Sequence, residues 1–314
     1  MSNSDEQAFE RLVAQYRGEL LAHCYRMLGG ITDAEDALQE TLMAAWRGLG
    51  SFEGRSSPRT WLYRIATRAC IRLREKRPPR MLSFDRQPAA LPAAELAAPV
   101  VDDGWLEPWP HDVNPDTDPE ARYSQREAVE LAFVAALQHL PANQRAVLIL
   151  RDVLAFSADE TARLLDTSTA SVTSALQRAR AAVPARTQQQ EQVEAKQRRT
   201  VEAFTDAFVR RDLPALVGLL TEDVRFTMPP LPAWFDGRHD VAAFFAQRVF
   251  ADPWQAIRVP DMNGQPAIAG YQKSQLGALI VPSLRAGRID WISTFVDPDL
   301  LLRCGLPKLF PADR

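Results

Sequence analysis

Arg64, Arg68 and Arg72 recur at every fourth position of a segment in which, between Arg59 and Arg80, Arg59, Arg74, Lys76, Arg77 and Arg80 stand against the single acid Glu75. On a helix this spacing makes one basic stripe, with Trp61, Leu62, Ile65, Ala69 and Leu73 on other faces. In a chain of net negative charge such a stripe suits a phosphate track, and a solvated surface is the plainer alternative. Upstream, DAEDALQETLMAAW (33–46) sets Ala34, Leu38, Leu42 and Ala45/Trp46 at three-to-four spacing and leaves Asp33, Glu35, Asp36, Gln39 and Glu40 largely outward. Thr32 reads as the N-cap, and acids in a first turn suit the helix dipole. Taken alone, those acids also fit an ordinary solvated helix start.

A third set lies in LPANQRAVLILRDVLAFSADETARLLDTSTASVTSALQRAR (140–180). Ser157 with Glu160 three residues on forms a capping box, opening a short helix Ala158 to Leu165. Asp166-Thr167-Ser168 makes a turn, and a second helix runs from about Thr169 to Ala182. This is the helix–turn–helix plan, whose second helix enters the major groove. Ser168, Thr169, Ser171, Thr173, Ser174, Gln177, Arg178 and Arg180 are outward and of the types that contact base edges and phosphates, while Val172, Leu176 and Ala179 face inward. Two short helices also occur in any bundle, so the pattern by itself leaves that reading open.

The elements that must position these residues follow from composition. The 314 residues suggest about two domains. With 46% apolar and 25% charged residues the chain can build a sizeable core, and 37 basic against 40 acidic side chains leave a net charge of −3. No apolar run approaches the roughly 18 residues of a membrane span, and the polar N-terminus lacks the plan of a secretory signal. Cys24, Cys70 and Cys304 are far apart with no CxxC pair, and the four histidines are scattered. The expectation is a soluble, cytoplasmic, metal-free protein without disulfides.

Texture changes along the chain. Ala8 to Lys76 reads as helical. Arg77 to Glu120 holds nine of the 23 prolines and turns acidic (Asp85, Glu95, Asp102, Asp103, Glu107, Asp112, Asp116, Asp118, Glu120), which reads as a linker unable to fold alone. Arg122 to Ala182 is helical again, and TQQQEQVEAKQ leads into a helix at 198–210. Beyond it Val224 to Met228 alternates, and the runs Ala278 to Pro282 and Arg288 to Val296 are β-rich between Gly/Pro punctuation. The first two thirds therefore read as all-α and the last third as α+β.

Together the first two motifs resemble an extracytoplasmic-function sigma factor of the sigma-70 family. Residues 33–46 with FEGRSSPRTWLYRIATRACIRLRE look like region 2, and 140–180 look like region 4. DDGWLEPWP (102–110) resembles the linker signature of sigma factors with a C-terminal extension, and the last ~115 residues are similar to a SnoaL-like cone. Among such proteins the chain is most similar to the actinobacterial SigG/SigJ-like groups. The DGGGK motif of one extended group is absent between Arg180 and Phe204. The implied fold class is multidomain: two all-α sigma domains (a region 2 helical bundle at 1–80 and a region 4 helix-turn-helix at 122–186), an acidic Pro-rich linker at 81–121, and an α+β SnoaL-like domain at 196–303.

The resemblance implies that Asp33, Glu35, Asp36, Gln39 and Glu40 bind the β′ clamp of the RNA polymerase core, with β as a further core contact. It places Arg55, Ser56, Ser57, Arg59, Trp61, Arg64, Arg68 and Arg72 on −10 promoter DNA, a base being flipped into the loop 48–58. The second helix would read the −35 element, with Arg178 and Arg180 on phosphate. The acidic linker would occupy the RNA path of the polymerase. The expectation is that region 2 has no separate acidic inhibitory segment before it and that some other element restrains the free protein.

For the C-terminal cone the resemblance implies a mouth lined by Phe226, Met228, Trp234, Phe235, Trp254 and Trp291 with His239 nearby, the domain being expected to regulate either by docking on the sigma domains or by binding a small apolar ligand. Asp236, Asp252, Asp290 and His239 are the available acid–base groups, and no pair of them has a spacing that defines a shared site. The aromatics equally fit a core. The expected function is transcription initiation, with no cofactor, no metal and no membrane contact, and with the C-terminal domain regulating in cis. The alternative is a SnoaL- or ketosteroid-isomerase-like enzyme, or ligand sensor, fused to a DNA-binding module.

Overall fold

The computed structural model describes residues 3–52, 54, 56–100, 104–110, 130–183 and 192–311. They divide into two compact units, Met1–Arg80 with Asp112–Arg186 and Met81–His111 with Thr187–Arg314.

The first unit is all-α. Helices α1 (Asn3–Leu28), α2 (Ile31–Gly48) and α3 (Pro58–Lys76) pack on one another. Leu20, Tyr25, Ala34, Leu38, Leu62 and Ala66 form their shared interior. α3 begins as its sequence dictates: Ser57 caps it by accepting the Thr60 N–H at 3.1 Å, and Pro58 occupies the first helical position. α2 begins two residues earlier than expected, with Gly30 rather than Thr32 as the N-cap. A side chain at Gly30 would collide with the Arg80 guanidinium, 2.6 Å from where its Cβ would stand.

Among the described residues, four further helices belong to this unit: α4 (Leu131–Gln138), α5 (Ala142–Leu148), α6 (Ala158–Leu165) and α7 (Thr169–Ala182). A π-helical turn, Ile149–Val153, extends α5. The capping box of α6 is present in both directions, Ser157 N–H to Glu160 at 2.8 Å and Glu160 N–H to Ser157 Oγ at 3.1 Å. Asp166 ends α6 in the left-handed conformation (φ 52°, ψ 49°), and Ser168 caps α7.

The second unit is a six-stranded sheet, β1 (Leu220–Met228), β2 (Leu231–Asp236), β3 (Gln255–Met262), β4 (Gln265–Gln272), β5 (Gln275–Arg285) and β6 (Arg288–Phe295), in the order β2-β1-β6-β5-β4-β3. Among the six strands of the sheet only β1 and β6 pair in parallel. Three two-residue hairpins join β3 to β6, and both residues of each have positive φ: Asn263-Gly264, Lys273-Ser274 and Ala286-Gly287. That geometry matches the strand twist. Helices α8 (Gln192–Arg210), α9 (Leu213–Gly218) and α10 (Arg238–Gln247) contribute to a core with one side of the sheet, in which Phe204, Phe226, Phe235, Phe244 and Phe245 are buried. A short α11 (Pro298–Arg303) follows the sheet.

Met81–His111 does not stand as a free linker. It clusters with the second unit, where a helical turn (Ser83–Arg86) sets Phe84 edge-on to Trp234 and Trp291, 5.9 and 6.0 Å between centroids. The Ala90 N–H donates to the Trp234 carbonyl at 2.8 Å, the Val100 N–H to Pro230 at 2.9 Å, and the Trp234 indole N–H to the Gln87 carbonyl at 2.8 Å. Trp105 and Trp109 are buried. A Pro-rich segment with no core of its own thus borrows one from the sheet. The linker acids Asp102, Asp103, Asp112, Asp116, Asp118 and Glu120 lie outside the described residues.

Candidate nucleic-acid interface

On α7 the inward set Val172, Leu176 and Ala179 is buried, and Ser168, Thr169, Ser171, Thr173, Ser174, Gln177, Arg178 and Arg180 are all exposed. The helix therefore presents one continuous polar face. Arg180 is held on that face by Asp152, its Nε and Nη2 donating to the carboxylate at 2.9 and 2.7 Å.

The α3 stripe forms as expected, with Arg64 and Arg72 exposed and Arg68 half-buried. Its surroundings differ from what the local sequence suggested, because acids arrive from other elements. Arg64 pairs with Asp166 at 3.0 Å, Arg68 with the other Asp166 oxygen, Arg72 with Glu40 at 2.7 Å, and Arg59 with Glu19 at 3.1 Å. Burial and the flanking charges of Arg64 and Arg72 hold the Arg68 guanidinium below the ordinary arginine range. Trp61 is half-buried and packs on Phe52, 4.9 Å between centroids. Ser56 and Ser57 are exposed, and Arg55 lies outside the described residues.

Of the polar α2 positions, Glu35, Asp36, Gln39 and Glu40 are exposed, but Asp33 is not an outward residue. Its side chain is 5% exposed and accepts from Arg77 and from Arg80, whose Nη2 is 2.7 Å away and itself buried. The reason is helical phase: Asp33 stands four positions before the buried Ala37 and so on the inner side of α2, facing the basic segment after α3. Arg77 and Arg80 therefore serve Asp33, and Arg77 also reaches Asp36 at 3.0 Å.

The six residues expected around a ligand mouth do not share one site. Strand alternation sends Phe226 and Met228 of β1 into the helix-side core, while Thr227 turns to the opposite face beside Trp234 and accepts the Trp291 indole N–H at 3.0 Å. Phe84 covers Trp234 and Trp291 there. Trp254 packs on the helix side against Phe208, over Gly270 and Gly277, where a Cβ on Gly270 would press the indole at 3.2 Å. Phe235 stacks on Phe244 in the core, 4.1 Å between centroids, and His239 is exposed. Asp236 and Asp252 are exposed too, while burial raises the Asp290 carboxyl against the opposing pull of Arg285. These acid–base groups are scattered rather than assembled.

Sequence reasoning passed over Glu19, Asp166, Asp152 and Asn263. Each acts through a partner at least 28 positions away in the chain, which no local periodicity could signal.

A helical unit carrying a helix–turn–helix, joined to an α+β sheet domain, matches two sigma-70 families and one further family. Residues 12–78 match Sigma-70 region 2, residues 125–183 match Sigma-70 region 4, and residues 201–274 match the SnoaL-like domain. The chain belongs to the extracytoplasmic-function RNA polymerase sigma factors. It is 39% identical over 306 residues to SigG of Mycobacterium tuberculosis, covering 93% of this chain and 82% of that one. It is 29% identical over 184 residues to SigW of Bacillus subtilis, covering 58% and 90%. The crystal structure of Mycobacterium tuberculosis SigJ has the same fold across 94% of this chain and 98% of its own, with a TM-score of 0.63 at 23% identity. Among the described residues no helix is long and apolar enough to cross a membrane.

Proposed function

We propose that this sigma factor engages promoter DNA through the exposed face of α7 at the −35 element and the α3 stripe with the Ser56–Trp61 segment at the −10 element. Its contact with the polymerase core runs through Glu35, Asp36, Gln39 and Glu40. The observation that carries the reading is the division of α7 into a buried apolar side and a wholly exposed polar side within a capped helix–turn–helix. Phosphate contacts would fix the register and base-edge contacts the sequence. These α2 positions suit an electrostatically guided protein partner, because the charges of Glu35, Asp36 and Glu40 are exposed and the present ion pairs of Asp36 and Glu40 are of the weak surface kind.

The C-terminal domain acts in cis by holding the chain between the two promoter-binding regions. Support comes from the backbone hydrogen bonds and buried tryptophans that tie Met81–Trp109 to the sheet unit. It acts as a non-enzymatic module, a reading favoured by a phenylalanine-filled helix side and by dispersed acid–base groups. Run-off transcription with bacterial core polymerase and the full-length chain tests the assignment. A defined transcript that disappears with the Asp36→Arg/Glu40→Arg double variant is the expected result. Failure of the wild-type chain to bind core or start RNA would overturn it.

A further inference from the structure

Two arginines assigned to promoter phosphates are already occupied by a carboxylate. Asp166 pairs with Arg64 through one oxygen and with Arg68 through the other, bridging two successive turns of α3. Its place is unusual, since it is the left-handed residue that ends the first helix of the helix–turn–helix. The contact is part of a wider docking of region 4 on region 2. Phe156 meets Tyr63 edge-on at 5.5 Å, and the Arg59 guanidinium lies 5.1 Å from the Phe156 ring centre. The buried Arg145 guanidinium donates to the Met27 carbonyl near the end of α1, and Gln138 to that of Arg26 at 3.4 Å.

The docking also closes over the base-accepting segment. Ser56, Ser57, Thr60, Trp61 and Arg64 line a cavity of about 320 Å³ whose remaining walls are Glu160, Arg163 and Leu164 of α6. A base drawn out of a −10 strand toward Trp61 would meet α6 at that position.

We infer that Asp166 is a built-in phosphate mimic, which latches region 4 over the −10 face of region 2 and keeps the free chain from binding promoter DNA. The inference rests on the assignment of Arg64 and Arg68 to −10 DNA. The stripe supplies the reason an anion is wanted there: three cations at four-residue spacing repel one another, and a carboxylate between two of them relieves it. It also supplies the reason the latch is releasable. Both pairs are about half exposed, so they are screened by salt and weak one by one, and a run of phosphates can replace them. This restraint lies within the two sigma regions themselves and needs no acidic segment ahead of region 2.

The test is Asp166→Asn in the full-length chain, because asparagine keeps the volume and tolerates the left-handed backbone. Asp166→Gly is the second variant should the first lose thermal stability. Asp152→Asn, which frees Arg180 instead, controls for the same change of net charge. Binding of each chain, without core, is measured against a fluorescent single strand carrying the −10 element of a promoter on which the holoenzyme starts RNA. Asp166→Asn should bind about tenfold more tightly than wild type at low salt, with Asp152→Asn near wild type. Adding Arg64→Ala and Arg68→Ala should abolish the gain. With core polymerase, wild type and Asp166→Asn should transcribe equally. Equal binding of wild type and Asp166→Asn, or an equal gain in Asp152→Asn, overturns the latch while leaving the sigma assignment standing. Absence of transcription from every form overturns the promoter assignment beneath it.

Discussion

Asn263 and Trp109 exchange two hydrogen bonds: the Asn263 side-chain oxygen accepts the Trp109 N–H at 2.8 Å, and the Asn263 N–H donates to the Trp109 carbonyl at 2.8 Å. Asn263 is the first residue of the β3–β4 turn, with φ 54°. One residue thus shapes a hairpin and clamps the segment between regions 2 and 4. Asn263→Gly keeps the positive φ and removes the side-chain acceptor. It should cost about 1–2 kcal/mol and speed proteolysis between Pro88 and Gly104. Limited proteolysis followed by mass spectrometry reads this directly. Unchanged cleavage would show that the aromatic contacts and the hydrogen bonds of Ala90, Val100 and Trp234 hold the segment without Asn263.

Asp33 and its neighbours on α2 should part company under mutation. Asp33→Ala leaves the buried Arg80 without its carboxylate and should destabilise the first unit by about 3–5 kcal/mol in chemical denaturation. Asp36→Arg with Glu40→Arg breaks only exposed pairs and should leave the unfolding midpoint nearly unchanged while core binding is lost. If Asp33→Ala unfolded no more readily than wild type, the Asp33–Arg77–Arg80 cluster would not be structural.

His23 predicts a dependence on pH. It is fully buried, hydrogen-bonded to Thr67 at 2.9 Å, and its pKa falls from 6.5 to about 3, chiefly through burial and then through Arg26 and Arg59. Between those two values the unfolded chain binds a proton that the folded chain refuses. Stability therefore rises with pH through that window and is lost as pH falls below about 6.5, by up to about 1.4 kcal/mol per unit. Urea denaturation at pH 7 and pH 5 should show a smaller pH difference for His23→Gln than for wild type. An equal difference would place the proton uptake elsewhere.

Arg178 and Arg180 should differ on −35 duplex DNA. Arg178→Ala should reduce the slope of log affinity against log salt by about one. Arg180 already has the Asp152 carboxylate, so reaching a phosphate exchanges one anion for another, and Arg180→Ala should change the slope less. Titrations across a salt series distinguish the two, and equal slope changes would show that Asp152 does not compete.

The parts legible in the chain were those whose signals are local. The Ser157–Glu160 box, the Ala158–Leu165 helix and the second helix from Thr169 to Ala182 stand as read, because caps and a 3.6-residue period act within a few positions. Strands β3 and β4 went unread for a physical reason. β4 is buried on both faces, so it shows no alternation, and β3 lies at the sheet edge. At β1, strand alternation sets Phe226 and Met228 on the helix side and Thr227 on the other, beside Trp234, a division of faces that residue type alone does not display.

What the sequence determined by itself was the family, the order of its modules and the helical faces that carry charge, since these rest on residue type and spacing alone. Only the tertiary structure decided which charges are spent inside the protein. Asp33 is buried with Arg80, Arg64 and Arg68 share Asp166, and the Pro-rich segment lies on the sheet rather than apart from it. Each pairs groups tens of positions apart or more, and an ion pair or a buried aromatic depends on distance in space, which a one-dimensional pattern does not contain.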